Sequence, residues 1–118
     1  MTEAPTKDDA IRLREHLDAA IFVREQINCD GDYPEYPSAI SGLMRYITSS
    51  PWCNHHYKPT ETKEILMRLD TADLEDIRSA LTAVSRSERF CTGAWKNALA
   101  DGRLDVIVRR AEQLIKEA

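Results

Sequence analysis

Four side chains in two separate stretches of this chain could bind a metal or attack an electrophile: Cys53, His55, His56 and Cys91. Two thiolates and two imidazoles are a ligand set that zinc accepts, and a cysteine beside a histidine can act as a nucleophile. The Cys-x-His-His spacing is unusual for paired structural zinc ligands, and no residue that would orient a nucleophile is identifiable. We predict no metal, no cofactor and no catalytic residue, and a metal- or thiol-dependent enzyme using this cluster is the alternative.

A second set of charged residues stands where a predicted helix ends. Arg86 and Arg89 flank Glu88, and the apolar stripe of that helix continues onto Glu88. Arg24 shares the apolar face of the first predicted helix. Because an inward carboxylate is costly without a cation or several donors, we predict a structural ion pair between Glu88 and these arginines. An anion or substrate site is the less favoured interpretation.

The segment from Cys29 to Pro37 combines acidic and aromatic side chains with two prolines and a glycine, so it cannot continue a helix. It lacks the twelve-residue ligand pattern of a calcium-binding loop. Tyrosine is enriched at protein interfaces, where it gives a large contact area at low entropic cost. The predicted contact residues of this loop are Asp30, Asp32, Tyr33, Glu35 and Tyr36.

The elements that must position these residues are predicted to be helices, since apolar residues recur every three or four positions and no strand pattern is convincing. We predict an all-α fold, a single compact orthogonal bundle of five to six helices, as one domain over residues 1–118 with residues 1–6 disordered. Thr6 and Asp9 form a capping pair at the first helix. The predicted helices span residues 7–28, 39–48, a short stretch from Thr60, 72–89, 92–100 and 104–116.

Composition narrows the functional classes. The chain has 118 residues, a net charge of −4 and 31% charged residues, which fits a globular domain rather than a disordered tail. Residues 1–37 hold nine acidic and four basic side chains, so the acidity lies in the first third. Nucleic-acid binding is disfavoured, because it needs a basic face. No membrane span or secretory signal is recognisable, and we expect a cytoplasmic protein with free thiols.

The last part of the chain carries a motif. Residues 86–93 read Arg-Ser-Glu-Arg-Phe-Cys-Thr-Gly, preceded by Leu81-Thr82 and followed by Gly102 and an arginine-bearing last helix. Through this Arg-x-Glu-Arg-Phe-Cys-x-Gly core the chain resembles a family of small bacterial proteins of unknown function, over residues 72–114. The resemblance implies a fold, but no reaction, ligand or catalytic residue.

Three functions follow as hypotheses. The leading one is a small acidic module that binds another protein through the first helix and the 30–37 loop, by class analogy a phage or mobile-element inhibitor of a bacterial defence system such as CRISPR-Cas. The second is the metal or thiol enzyme. The third is nucleic-acid binding, which requires that five arginines share one face: Arg86, Arg89, Arg103, Arg109 and Arg110. Ile11 and Phe22 leave room for a homodimer, and no membrane partner is expected.

Overall fold

The structure is a computed structural model that describes residues 5–29, 31, 33–49, 51–54, 59–89 and 91–117. Over these residues the chain forms α-helices and two short 3₁₀ helices, Arg24–Gln26 and Leu69–Thr71, with no strand. The predicted all-α bundle is confirmed, with six helices in the described part of the chain. They are α1 (Lys7–Phe22), α2 (Ser38–Ile47), α3 (Pro59–Met67), α4 (Leu74–Ser87), α5 (Ala94–Ala100) and α6 (Arg103–Glu117).

Two helices begin at capping boxes. At α1 the Asp9 N–H donates to Thr6 Oγ1 at 3.3 Å and the Thr6 N–H donates to Asp9 Oδ2 at 2.8 Å, which confirms the predicted pair. At α4 the pair is Asp73 with Asp76. The prediction that α4 starts at residue 72 is wrong, because this box supplies partners for the amides of the first turn two residues later.

The first helix is shorter than predicted. It ends at Phe22, where a 3₁₀ turn replaces the last part of the predicted 7–28 helix. Beyond that turn, Asn28 and Glu35 exchange backbone hydrogen bonds of 3.1 and 2.8 Å as an isolated antiparallel bridge. This bridge pairs the backbone N–H and C=O groups of Asn28 and Glu35 with each other, in a region where the predicted helix would have paired Asn28 within α1.

Helix α4 is the centre of the bundle, since α2, α3, α5 and α6 all pack against it. Helix α1 lies across α2 and α6. One core cluster joins the helices, and several of its side chains are completely buried: Leu13, Leu17, Ile40, Leu43, Ile47, Trp52, Ile77, Leu81, Ile107 and Val108. None of the described helices has the length and apolar character needed to cross a membrane.

The irregular segment before α3 is tied to α4 by polar contacts. The Asn54 N–H donates to Thr82 Oγ1 at 2.9 Å, and its side-chain amide donates to Ser79 Oγ at 2.8 Å. The Arg78 guanidinium, buried on α4, donates to the Cys53 carbonyl oxygen at 2.8 Å. These bonds hold residues 53 and 54 against the bundle.

An ion cluster joins α1 to α6. Arg14 donates from Nη1 to Asp105 at 2.7 Å and from Nη2 and Nε to the two carboxylate oxygens of Glu112 at 2.6 and 3.2 Å. The Glu112 hydrogen bond and then the nearby Asp105 raise the pKa of Arg14 against the opposing effect of burial. The first helix is thus fixed on the last by charge as well as by its apolar face.

Candidate functional site

Glu88, the acidic residue of the motif, points inward. It follows α4 directly and is only 7% exposed, as the sequence predicted. Its donors, however, are neutral: the Tyr36 hydroxyl at 2.7 Å and the backbone N–H groups of Gly93 at 2.6 Å and Trp95 at 3.0 Å. None of the ion pairs of the described residues includes Glu88. The predicted arginine–Glu88 ion pair is therefore wrong.

The backbone explains why no arginine is needed. Gly93 has a positive φ of 87° and immediately precedes α5, whose first N–H groups have no acceptor within the helix. The Glu88 carboxylate accepts the Gly93 and Trp95 N–H bonds at this helix start, where negative charge is favourable. The backbone N–H groups five and seven positions after Glu88 thus take the place of the cation that the sequence suggested.

The electrostatics of Glu88 follow from these bonds. Burial alone would raise its pKa, but the hydrogen bonds from the Trp95 N–H, the Tyr36 hydroxyl and the Gly93 N–H outweigh burial, with a smaller contribution from Tyr33. The pKa of Glu88 consequently lies below its ordinary value, and the group is ionised at neutral pH. The reverse holds for Tyr36, whose pKa is raised by burial and by its bond to Glu88.

Of the three arginines that were expected around Glu88, only Arg86 and Arg89 line the same groove as Glu88. Arg24 is exposed in the 3₁₀ turn, since α1 ends before it and the helical face no longer extends to position 24. Arg89 is also exposed. Arg86 is half-buried and, like Arg89, lines the groove described below.

The two tyrosines of the 29–37 segment differ in their surroundings. The Tyr36 ring is half-buried, packs on Trp95 with ring centroids 5.1 Å apart and bonds to Glu88. Tyr36 connects this segment to the start of α5, and its role as a contact residue stays a prediction. Tyr33 is 52% exposed and meets the Tyr36 ring edge-on at 6.5 Å. Of the pair, Tyr33 is the residue that a partner can reach.

A groove of about 770 Å³ opens above Glu88. Its first wall is one face of α2, residues 41, 44 and 45, continued by Thr48 directly after the helix. Its second wall is the end of α4 with the turn before α5. Met44, Ser85 and Glu88 are buried and form the floor. The complete lining is Tyr33, Ser41, Met44, Arg45, Thr48, Ser85, Arg86, Glu88, Arg89, Thr92 and Trp95.

The rim of this groove is basic in an acidic chain. Arg45 on α2 and Arg89 after α4 are exposed, and within the described residues neither forms an ion pair. Arg14, Arg68 and Arg78, by contrast, each bind a carboxylate of this chain. With Arg86 and Glu88 included, the groove carries a net positive charge although the whole chain carries −4.

The five arginines of the nucleic-acid hypothesis do not share this face. Arg103 pairs with Asp101 at 2.8 Å and Arg109 with Asp105 at 2.9 Å. Arg110 donates to the Ala72 carbonyl oxygen at 3.0 Å. The three arginines of α6 are thus occupied locally, and none of them lines the groove.

Several predicted residues fall outside the described part of the chain or apart from the groove. Asp30, Asp32, His55 and His56 lie outside the described residues. Glu35 is exposed and forms the bridge to Asn28. Of the cysteines in the proposed cluster, Cys53 is buried and Cys91 is exposed, and the described residues contain no group of three or more metal-ligating side chains.

A match to a known protein family includes the residues of the groove. Residues 33–117 match the family of unknown function DUF6508. The chain belongs to this family. The match is longer than the expected 72–114, since it begins at Tyr33 and takes in α2 and α3. All the residues that line the groove lie in the part shared with DUF6508, whereas α1 lies before it. No curated protein and no solved structure matches the chain.

Sequence reasoning missed three features of this DUF6508 site. Arg45 stands on the exposed side of α2, away from the buried stripe of Ile40, Leu43 and Ile47, and its spacing alone gives no signal of a groove. Trp95 was not singled out from the sequence; it lines the groove, and its indole N–H donates to the Ser85 carbonyl oxygen at 3.0 Å. Nothing in the sequence indicated the Tyr36–Glu88 bond, which joins residues 52 positions apart.

Proposed function

We propose that this DUF6508 protein is a binding module that holds a segment of a partner protein in the groove between α2 and the end of α4. The observation that carries the proposal is the combination of side chains in one open groove: Tyr33, Met44, Arg45, Arg86, Arg89 and Trp95. Tyrosine, tryptophan, methionine and arginine are the residue types enriched where proteins bind one another, and tyrosine, tryptophan and arginine dominate binding hot spots.

The aromatic side chains at the groove support this function because contacts within the fold hold them in place. Glu88 fixes Tyr36, and Tyr36 in turn packs against both Tyr33 and Trp95. The Trp95 indole is fixed a second time by its bond to Ser85. A surface whose aromatic side chains are held before binding loses less conformational entropy when a partner arrives.

The proposal moves the contact face away from the acidic first helix. The family match includes every lining residue of the groove and begins after α1, so a function common to DUF6508 is better sought in the groove. Tyr33 belongs to both the predicted loop surface and the groove. The hypothesis that the protein inhibits a bacterial defence system is compatible with binding in this groove. No residue of the groove points to a partner from such a system.

Site-specific photocrosslinking tests the proposal. A photoreactive phenylalanine analogue is placed at Tyr33, and in a matched protein at Phe22, an aromatic residue that is 84% exposed and outside the groove. Both proteins are irradiated in extract of the source organism, and the adducts are identified by mass spectrometry. We expect discrete protein adducts at Tyr33 that are absent at Phe22 and are lost when Arg89→Glu is added.

Two results contradict the proposal. Identical adducts at Tyr33 and Phe22 would mean that the exposed aromatic side chains react without selection. Adducts at Tyr33 that disappear on nuclease treatment would mean that the groove holds a nucleic acid instead of a protein.

A further inference from the structure

We propose that the segment held in this groove is an acidic peptide, with carboxylates bound by Arg45 and Arg89 at the rim and apolar side chains placed between them on Met44 and Trp95. This inference rests on the proposed protein-binding function and names the chemistry of the partner. The charge of the groove, the composition of its floor and the surrounding charge of the molecule each point to this occupant.

The positive charge at the rim of the groove favours an acidic occupant. Arg45 and Arg89 project from opposite walls, are exposed and form no ion pair within the described residues. A guanidinium presents its N–H groups in a flat fork that matches a carboxylate, so two of them on facing walls can bind two acidic side chains of one segment. Carboxylates of this chain occupy comparable arginines elsewhere, as Asp76 does for Arg68 at 3.0 Å.

The apolar surface between the arginines favours an occupant that also carries apolar side chains. The half-buried Trp95 ring lines the groove beside Met44, so an apolar indole surface borders the space between the arginines. The Glu88 carboxylate in the floor is already bonded to the Tyr36 hydroxyl and to the N–H groups of Gly93 and Trp95. Hydroxyl groups of Ser41, Thr48 and Thr92 stand around this space. A segment with acidic residues alone would leave this apolar surface exposed to water, whereas one that alternates acidic and apolar residues covers both.

The charge of the whole molecule decides between a peptide and a nucleic acid. A nucleic acid carries an unbroken row of phosphates and binds where many cations release counterions along it. Here the chain has a net charge of −4, and Arg103 and Arg109 are already paired with acids of α6 and its preceding turn. A few arginines in one short groove suit a short acidic segment better than a long polyanion.

The experiment measures binding of defined probes by fluorescence anisotropy. The probe is a fluorescein-labelled peptide that alternates glutamate and leucine; the comparison probes are the same peptide with glutamine for glutamate, and an oligothymidylate of equal length. The proteins are the full chain and its Arg45→Glu, Arg89→Glu and Arg12→Glu variants. Arg12 is an exposed residue of α1 outside the groove, so its reversal gives the same change in net charge. Far-UV circular dichroism verifies that each variant is folded.

We expect the glutamate peptide to bind the full chain. Arg45→Glu and Arg89→Glu should each raise its dissociation constant by about tenfold or more, while Arg12→Glu should change the constant far less. Trp95 supplies a second readout, because its fluorescence responds to an occupant of the groove whereas the fully buried Trp52 is shielded. Equal binding of the glutamine peptide, an equal effect of Arg12→Glu, or tighter binding of the oligothymidylate would overturn the inference.

The crosslinks at Tyr33 separate this inference from the function on which it rests. If Tyr33 captures a protein whose crosslinked segment is neutral or basic, the groove binds proteins but the acidic peptide is wrong. If Tyr33 captures no protein selectively, the proposed function itself fails.

Discussion

At the scale of single residues, the position of Glu88 shows that a buried carboxylate can be stabilised without a cation. Its two oxygens accept three hydrogen bonds from neutral donors, two of which are backbone N–H groups. The inward direction of Glu88 could be predicted from the apolar stripe of α4. Its partners could not, because Gly93, Trp95 and Tyr36 reach it only through a turn and a loop whose conformations depend on the rest of the fold.

Replacing Glu88 with glutamine tests this arrangement. The amide NH2 of Glu88→Gln cannot accept a hydrogen bond, so at least one of the three donors loses its partner, and we expect the free energy of unfolding to fall by about 1 to 3 kcal/mol at neutral pH. Urea unfolding followed by circular dichroism measures the difference. Glu25→Gln, at an exposed glutamate of the 3₁₀ turn, is the control and leaves stability nearly unchanged.

The difference in unfolding free energy between the wild type and Glu88→Gln should depend on pH. Because the pKa of Glu88 in the folded chain lies below its ordinary value of 4.5, its ionised form stabilises the fold above that value. This contribution is lost as the pH falls through the lowered pKa. The stability difference between the wild type and Glu88→Gln should therefore be full at neutral pH and shrink in acid. A difference that stays constant down to the acid-unfolded state would show that the charge of Glu88 has no part in it.

At the scale of elements, the contact between α1 and α6 combines apolar packing with the Arg14 ion cluster. Arg14 pairs with two acids of α6 that are two turns apart, Asp105 and Glu112, and at 3.6 Å with Asp18 of its own helix. Spacing on either helix predicts an amphipathic face, but which arginine meets which acid depends on how the two helices cross. For this reason the sequence did not single out Arg14.

We expect a double-mutant cycle of Arg14→Gln and Glu112→Gln to give a coupling free energy of about 1 kcal/mol at low salt, since the pair is bidentate but remains partly solvated. Added salt should reduce this coupling, because the Glu112 side chain is 37% exposed. The measurement is chemical unfolding of all four proteins at two salt concentrations. The control is the same cycle on Arg103, the first residue of α6, and Asp101 in the turn before it, and we expect a smaller coupling there. Equal couplings would contradict the role assigned to Arg14.

At the scale of the whole molecule, one core joins the part shared with DUF6508 to the helix that precedes it. Leu13 and Leu17 of α1 are completely buried in the same cluster as Leu43 of α2 and Ile107 of α6. The groove is built from α2 and α4, which are positioned by this core. Helix α1 therefore contributes to the site through packing, although it lines none of it.

This dependence predicts the behaviour of α1 variants. We expect Leu17→Ala to lower the free energy of unfolding of the whole chain by about 2 to 5 kcal/mol in a single transition, because it opens a cavity in the shared core. Ile11→Ala on the exposed side of the same helix should stay within about 0.5 kcal/mol of the wild type. Far-UV and near-UV circular dichroism are recorded together, since the buried Trp52 reports on the core. Separate transitions at the two wavelengths would mean that α1 unfolds independently.

The sequence by itself determined the helical class and the capping pair of Thr6 and Asp9, because local hydrogen bonds and hydrophobic periodicity are properties of neighbouring residues. It also determined that Glu88 points inward. The tertiary structure alone decided where α1 ends, which donors reach Glu88 and that Arg45, Arg89 and Tyr33 meet around one groove. These features join residues that are distant along the chain, and their geometry is set by how the helices cross.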